Sequence, residues 1–232
     1  MNLTNTVINI HTLTPTIPYT KVNTLSNQLK YCNYLINITF QSIGLLISKP
    51  YYHIDSYNNH ITINLYYYPK SHLNNLLPFS QDKLQFLLSY LQQYTASSIS
   101  LNCTYISRPS YHAHILSQYL SLQSYHYKFL KLCRILQSST TISSNLPRIS
   151  RLYSTKLSGI HIRLSGRTFL QKIIPRKTIS IFNLGNLNNT NTVINKPYYP
   201  SNTNTYKSRS TGVTKRGSYS FSINTNHTTR TC

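Results

Sequence analysis

The sequence predicts an α+β protein built from two successive domains, and three observations carry that reading. Apolar residues recur at three- and four-residue steps in the first hundred positions, which is the period of amphipathic helices. Between and after those stretches the apolar residues alternate with polar ones, the period of half-buried strands. The third observation is charge. Residues 1–125 hold six basic residues and both acids, whereas the last 107 residues hold seventeen basic residues and no acid. A change of surface chemistry that abrupt marks a change of domain.

Taken in order, Leu25, Leu29, Cys32, Ile36, Phe40, Ile43 and Ile47 share one helical face, and the helix should end near Lys49-Pro50. Tyr51 to Ile54 reads as a strand, and Ser-Tyr-Asn-Asn at 56–59 supplies turn residues. The run Ile61 to Tyr68 then alternates until Pro69 stops it. Ser80 reads as a helix N-cap, with Asp82 in the first turn and Leu84, Leu87, Leu88 and Leu91 as the buried stripe. Ile99, Leu101, Cys103 and Tyr105 alternate as a further strand. Helix, strand, strand, helix, strand is the order of a small two-layer α+β sandwich.

Two helices follow. One covers about 112–122 with Leu116 and Leu120 inward. The other covers about 125–137, with Tyr125, Phe129, Leu132, Cys133 and Leu136 on one face. The Ser/Thr run 138–145 and Pro147 read as a linker. The basic region then opens with an alternating strand over Gly159–Arg167 and an extended run over Ile179–Leu184. A last strand covers Gly217–Ile223. The expected organisation is an N-terminal extension (1–23), a first domain (24–110), central helices with a linker (111–147) and a basic C-terminal domain (148–224). That domain includes an unstructured Asn-rich loop (185–205), and a tail (225–232) closes the chain.

Composition bounds the function. The chain has 232 residues, 23 Lys plus Arg, and Asp55 and Asp82 as its two acids, for a formal net charge of +21. Two acids cannot supply a paired-carboxylate active site or an all-carboxylate cage for a hard cation. The cysteines, Cys32, Cys103, Cys133 and Cys232, are too widely spaced for a zinc site and read as three buried thiols and one terminal one. The nine histidines, His112-x-His114 among them, form no ligand set, so no metal and no cofactor is expected. No apolar run reaches the roughly 18 residues of a membrane span. Residues 1–20 lack Lys and Arg, so neither a secretory leader nor an Arg-rich transit peptide is expected there. A self-repelling charge of +21 calls for a polyanionic partner, and the first candidate is RNA.

Arg163, Arg167, Arg176 and Lys177 are the leading candidates for RNA contact, because they lie on or beside expected strands; Lys172 belongs to the same basic segment. Arg163 and Arg167, four apart, should share one strand face. Lys207, Arg209, Lys215 and Arg216 lie on a flexible approach to the last strand. Lys128, Lys131 and Arg134 are spaced by three on the helix at 125–137 and either line a groove for a nucleic-acid strand or form an ordinary solvated face. Two other function classes remain open from composition: an intron-encoded maturase or endonuclease, which needs acidic metal ligands, and a free basic RNA-binding protein.

One stretch carries a family resemblance. Ser158-Gly159-Ile160-His161-Ile162-Arg163-Leu164-Ser165-Gly166-Arg167 resembles the signature G-[IV]-x-[IV]-x-x-S-G-R of the universal third protein of the small ribosomal subunit. Its spacing to Ile173-Ile174-Pro175-Arg176-Lys177-Thr178 is similar to the fungal, mitochondrially encoded branch, that of the variant-one ribosomal proteins. Ile47-Ser48-Lys49-Pro50 with Asn64-Leu65-Tyr66-Tyr67-Tyr68 resembles the branch in the same order, as does His114 to Leu120 with Tyr127-Lys128-Phe129.

The resemblance implies a diverged type II K-homology domain followed by a small two-layer α/β domain. It also implies a structural, non-enzymatic role in the mitochondrial small subunit. The implied partners are small-subunit rRNA in the head, mRNA at its entrance and neighbouring small-subunit proteins, with no membrane. Family members place an F-R-R-x-x-K helix at the mRNA entrance. Phe129-Leu130-Lys131-Leu132-Cys133-Arg134 matches it at Lys131 and Arg134 but not at Leu130. The Gly-x-x-Gly loop of K-homology domains is absent, since Gly44 is the only glycine before Gly159.

Overall fold

The first helix, α1 (Val22–Ile43), buries Cys32, Ile36, Phe40 and Ile43, the stripe read from the sequence. It stops earlier than expected. Gly44 takes a φ of +87°, a left-handed conformation that costs glycine little, and its N–H bonds the Gln41 carbonyl to close the helix. Ile47 therefore enters the core from a strand. The computed structural model describes residues 22–55, 59–70, 77–140, 155–170, 178–185, 201–215 and 217–230. It divides into two units, Met1–Ser107 and Arg108–Cys232.

In the first unit the strands β1 (Leu45–Ile47) and β2 (Tyr51–Asp55) both pair antiparallel with the long strand β3 (His60–Pro69). Ser48 bridges the break between them, its N–H bonding the Tyr66 carbonyl and its Oγ accepting from the Tyr66 N–H. The helix α2 (Leu77–Thr95) crosses over to β4 (Ser98–Tyr105), which lies parallel to β3. Ser80 falls inside α2, so it is not the N-cap; the helix begins at Leu77. Ile36 and Phe40 meet Ile61, Ile63, Leu65, Leu88, Leu91, Ile99 and Leu101 in one core. Alternating burial along β3 is what turns Ile61, Ile63 and Leu65 into that core.

The second unit opens with a 3₁₀ turn (Pro109–Tyr111) and the helices α3 (Ala113–Gln123) and α4 (Phe129–Ser139). Helix α4 starts at Phe129 and not at Tyr125, which is exposed in the preceding turn. An antiparallel sheet follows, of β5 (Thr155–Gly166), β6 (Ile179–Gly185), β7 (Ser201–Thr214) and β8 (Gly217–Arg230), in the spatial order β6-β5-β8-β7. Leu116 and Leu120 of α3 and Leu132 and Leu136 of α4 pack against Ile160, Ile162, Leu164, Tyr219, Phe221 and Ile223. The helical pair, read from sequence as a connecting segment, thus supplies one layer of this unit. Helices of eleven residues with one apolar stripe are marginal until that stripe is covered.

Three further expectations change here. Residues 207–215 are not a flexible approach: residues up to Thr214 form β7, and Lys215 stands in the hairpin turn. Residues 201–205, placed in the unstructured loop, begin that strand. The tail is ordered to Arg230, because β8 continues past Ile223 and buries Thr225, Asn226 and His227. Cys32, Cys103 and Cys133 are buried free thiols. Desolvation pushes Cys103 up to about 12 and Cys133 up to about 11, so neither forms a ready thiolate. Cys232 lies outside the described residues.

His112 is the N-cap of α3, its Nδ1 accepting the His114 N–H at 3.2 Å, which requires a neutral ring. Burial first, then His114 and His227, lowers its pKa from 6.5 to about 4. The unfolded chain therefore binds this proton before the folded one does. Stability should be full above about pH 6.5 and fall as pH drops toward 4, by up to about 3 kcal/mol. Thermal melts between those limits test this, and His112→Asn, which keeps a capping oxygen, should flatten the profile.

Candidate nucleic-acid interface

The sheet of the second unit has two chemically different faces. Leu164, Ile162 and Ile160 alternate inward on β5, which leaves His161, Arg163 and Ser165 outward. Cross-strand register carries that outward face over the other strands. Arg163 pairs with Ile181 on β6 and Ser222 on β8, and Ser222 pairs with Arg209 on β7. One row thus reads Ile181, Arg163, Ser222, Arg209. The next reads Asn183, His161, Asn224, Lys207. Arg163, Lys207 and Arg209 are exposed there, and Arg209 Nη2 donates to Ser220 Oγ at 3.2 Å, which lays its guanidinium along the face.

The unit itself supplies no acidic side chain to this surface, since residues 108–232 contain no Asp or Glu. Guanidinium groups two strand spacings apart, with no acidic side chain of the unit between them, favour a polyanion that can touch both, with bidentate Arg–phosphate geometry available at each.

Gly166 sets the limit of the face. Its φ of +94° turns the chain out of β5, and its N–H bonds the Thr178 carbonyl at 2.9 Å. Arg167 consequently lies beyond the strand and does not share Arg163's face by alternation, as the four-residue spacing had predicted; it is half-buried with partners of its own. Thr168 is buried, and Phe169 packs near Tyr125 at a centroid distance of 6.2 Å. Lys172, Arg176, Lys177 and Arg216 lie outside the described residues.

Lys128, Lys131 and Arg134 are exposed, but on the solvent side of the helical layer, away from the sheet's outward face. Lys128 is the N-cap of α4 with an extended backbone, so it does not belong to the helix proper. Lys131 Nζ sits 4.6 Å from the Tyr127 ring centroid, a cation–π contact. Of the predicted basic residues, Arg163, Lys207 and Arg209 therefore lie on one surface of the unit and Lys128, Lys131 and Arg134 on the opposite one. Among the described residues no group of three or more His, Cys, Asp or Glu could hold a metal ion, and no described helix is long and apolar enough to cross a membrane. The sequence reading missed His161, Ser222 and Asn224 as members of the face. Their alternation with buried residues was visible; the pairing of β5 with β8 was not.

Comparison with known proteins agrees with the basic, acid-free sheet unit. The family described as mitochondrial ribosomal protein (VAR1) matches residues 45–227, which spans both units. The small ribosomal subunit protein uS3m of Mycosarcoma maydis is 30% identical over 162 residues, 66% of this chain. The aligned region covers 58% of that relative's length. A match running from β1 to β8 cannot come from one shared motif, and on it this chain belongs to the mitochondrial ribosomal protein (VAR1) family.

Proposed function

We propose that this chain is a structural, non-enzymatic constituent of the mitochondrial small ribosomal subunit that holds rRNA on the outward face of its second sheet. The observation that carries the reading is the row Arg163–Ser222–Arg209, two exposed guanidinium groups on a unit without an acidic side chain. Affinity then comes chiefly from counter-ions released at phosphates, with log K falling by roughly 0.7–0.9 per phosphate for each decade of salt.

The finer assignments follow from the same reading. Lys131 and Arg134, with Lys128 at the helix start, line the mRNA entrance; their support is an exposed basic column on α4 with no acid in the unit. The first unit is a diverged K-homology domain, supported by helix and strands followed by α2 and a final parallel strand. Among the described residues it has one helix between β3 and β4 where two are expected, and the sequence lacks the Gly-x-x-Gly loop, so it serves protein neighbours. Tyr34 (60% exposed) and Phe86 (73%), beside the Tyr31–Tyr94 pair at 5.0 Å, give its helical layer the aromatic surface typical of protein contacts.

The test is sedimentation of organelle lysate with ultraviolet crosslinking. The chain should remain with the small subunit through a salt wash and crosslink to small-subunit rRNA through β5, β7 and β8. Recovery at the top of the gradient, free of particles, would sink the reading.

A further inference from the structure

The outward face of the second sheet is distinctive for what it lacks. The chain has 21 Tyr and 7 Phe, yet none occupies an outward position among the described residues of β5 to β8. Phe182, Tyr206, Tyr219 and Phe221 all fall at inward register positions, paired with Ile162, Thr225, Gly212 and Leu164 or Ser210. Proteins that hold single-stranded RNA stack its bases on aromatic rings. Among the described residues this face offers no tyrosine or phenylalanine, and the His161 imidazole is its one aromatic ring.

It offers a polar furrow between two basic rails. Ser222 and Asn224 on β8 form the furrow; His161 and Arg163 on β5 lie to one side, Lys207 and Arg209 on β7 to the other. The rails are two strand spacings apart, about 10 Å. A four-stranded sheet is too broad for the DNA minor groove, about 6 Å wide, and the DNA major groove admits only a helix or a two-stranded ribbon. An A-form RNA duplex instead presents a wide, shallow minor groove lined with 2′-hydroxyls and edged by phosphates. A serine hydroxyl and an asparagine amide each donate and accept, which matches a 2′-hydroxyl that does both.

We infer that this face binds an A-form RNA duplex across its minor groove. Arg163 takes one phosphate backbone, Arg209 and Lys207 take the other, and Ser222 and Asn224 bond the 2′-hydroxyls between them. The inference rests on the rRNA-binding reading and specifies the form of RNA.

The test compares the full chain's affinity, at one fixed salt concentration, for a short RNA duplex, the DNA duplex of the same sequence and the single-stranded RNA. The RNA duplex should bind at least roughly tenfold more tightly than either alternative. The pair Ser222→Ala and Asn224→Ala should remove most of the preference over DNA while leaving DNA affinity and the unfolding temperature unchanged. Equal affinity for the two duplexes, or a preference that survives the double substitution, overturns the inference. So does tighter binding of the single strand; if that binding still depends on Arg163 and Arg209, only the duplex assignment falls. A folded chain that binds none of the three overturns the rRNA-binding reading as well.

Discussion

Replacing Arg163 and Arg209 together by Glu is expected to weaken rRNA binding by more than about a hundredfold at physiological salt. Each substitution removes a charge-assisted contact worth roughly 1.5–3 kcal/mol and puts a like charge beside phosphate. The plot of log K against log salt should become shallower by about 2, the slope carried by two phosphate contacts. Binding isotherms at several salt concentrations measure both effects. The matched control is Lys131→Glu with Arg134→Glu, which changes net charge equally on the opposite surface of the same unit. Its loss of affinity for an rRNA segment should be much smaller. An equal loss from both pairs would show that net charge sets affinity and that the sheet face has no special part.

Gly166→Ala is the substitution expected to harm folding most. A Cβ at Gly166 would stand 2.4 Å from the Ser218 carbonyl oxygen and 2.8 Å from the Tyr219 Cα. Both neighbours are backbone of β8, so neither can swing aside as a side chain would. The φ of +94° adds strain of its own, about 1–3 kcal/mol. Together these should cost more than about 3 kcal/mol in denaturant unfolding of the second unit, seen as a lower midpoint. A loss under about 1 kcal/mol would show that the close approach relaxes at little cost. The glycine of the Ser165-Gly166-Arg167 signature thus has a packing reason, independent of any RNA contact.

The first unit was legible in the sequence because each of its elements carries a clear period. Ile61, Ile63 and Leu65 alternate inward, and Leu84, Leu87, Leu88 and Leu91 trace one helical stripe. What misled there was local: Gly44 ended a helix whose apolar stripe runs on to Ile47. In the second unit the strand at 155–166 was legible for the same reason. Strand β7 was not, because both of its faces are polar. Its inward residues meet α3 through hydroxyls: Ser210 Oγ donates to the Ser117 carbonyl at 2.7 Å, and Ser117 Oγ lies 3.2 Å from Ser208 Oγ. Without an apolar face the period-two contrast vanishes, and the segment reads as loop. The candidate site was half legible. Charge picked out Arg163, Lys207 and Arg209, but their meeting in adjacent rows depends on the β5–β8 pairings of Arg163 with Ser222 and His161 with Asn224, about 60 positions apart, which composition cannot reveal.

The hydroxyl fastening of β7 has a bearing on assembly. Arg209 and Lys207 ride on a sheet edge that is joined to its covering helix by serine bonds, whereas the middle of the sheet is held by Ile162, Phe221 and Ile223. Such bonds contribute about 1 kcal/mol apiece, less than a buried aromatic or branched aliphatic side chain. A phosphate backbone gripped by Arg209 on the edge, while another is gripped by Arg163 nearer the middle, would act as a tie across β8. The nucleic acid would then be part of the scaffold that keeps the edge in register, and folding of that edge and docking of the particle would become one equilibrium.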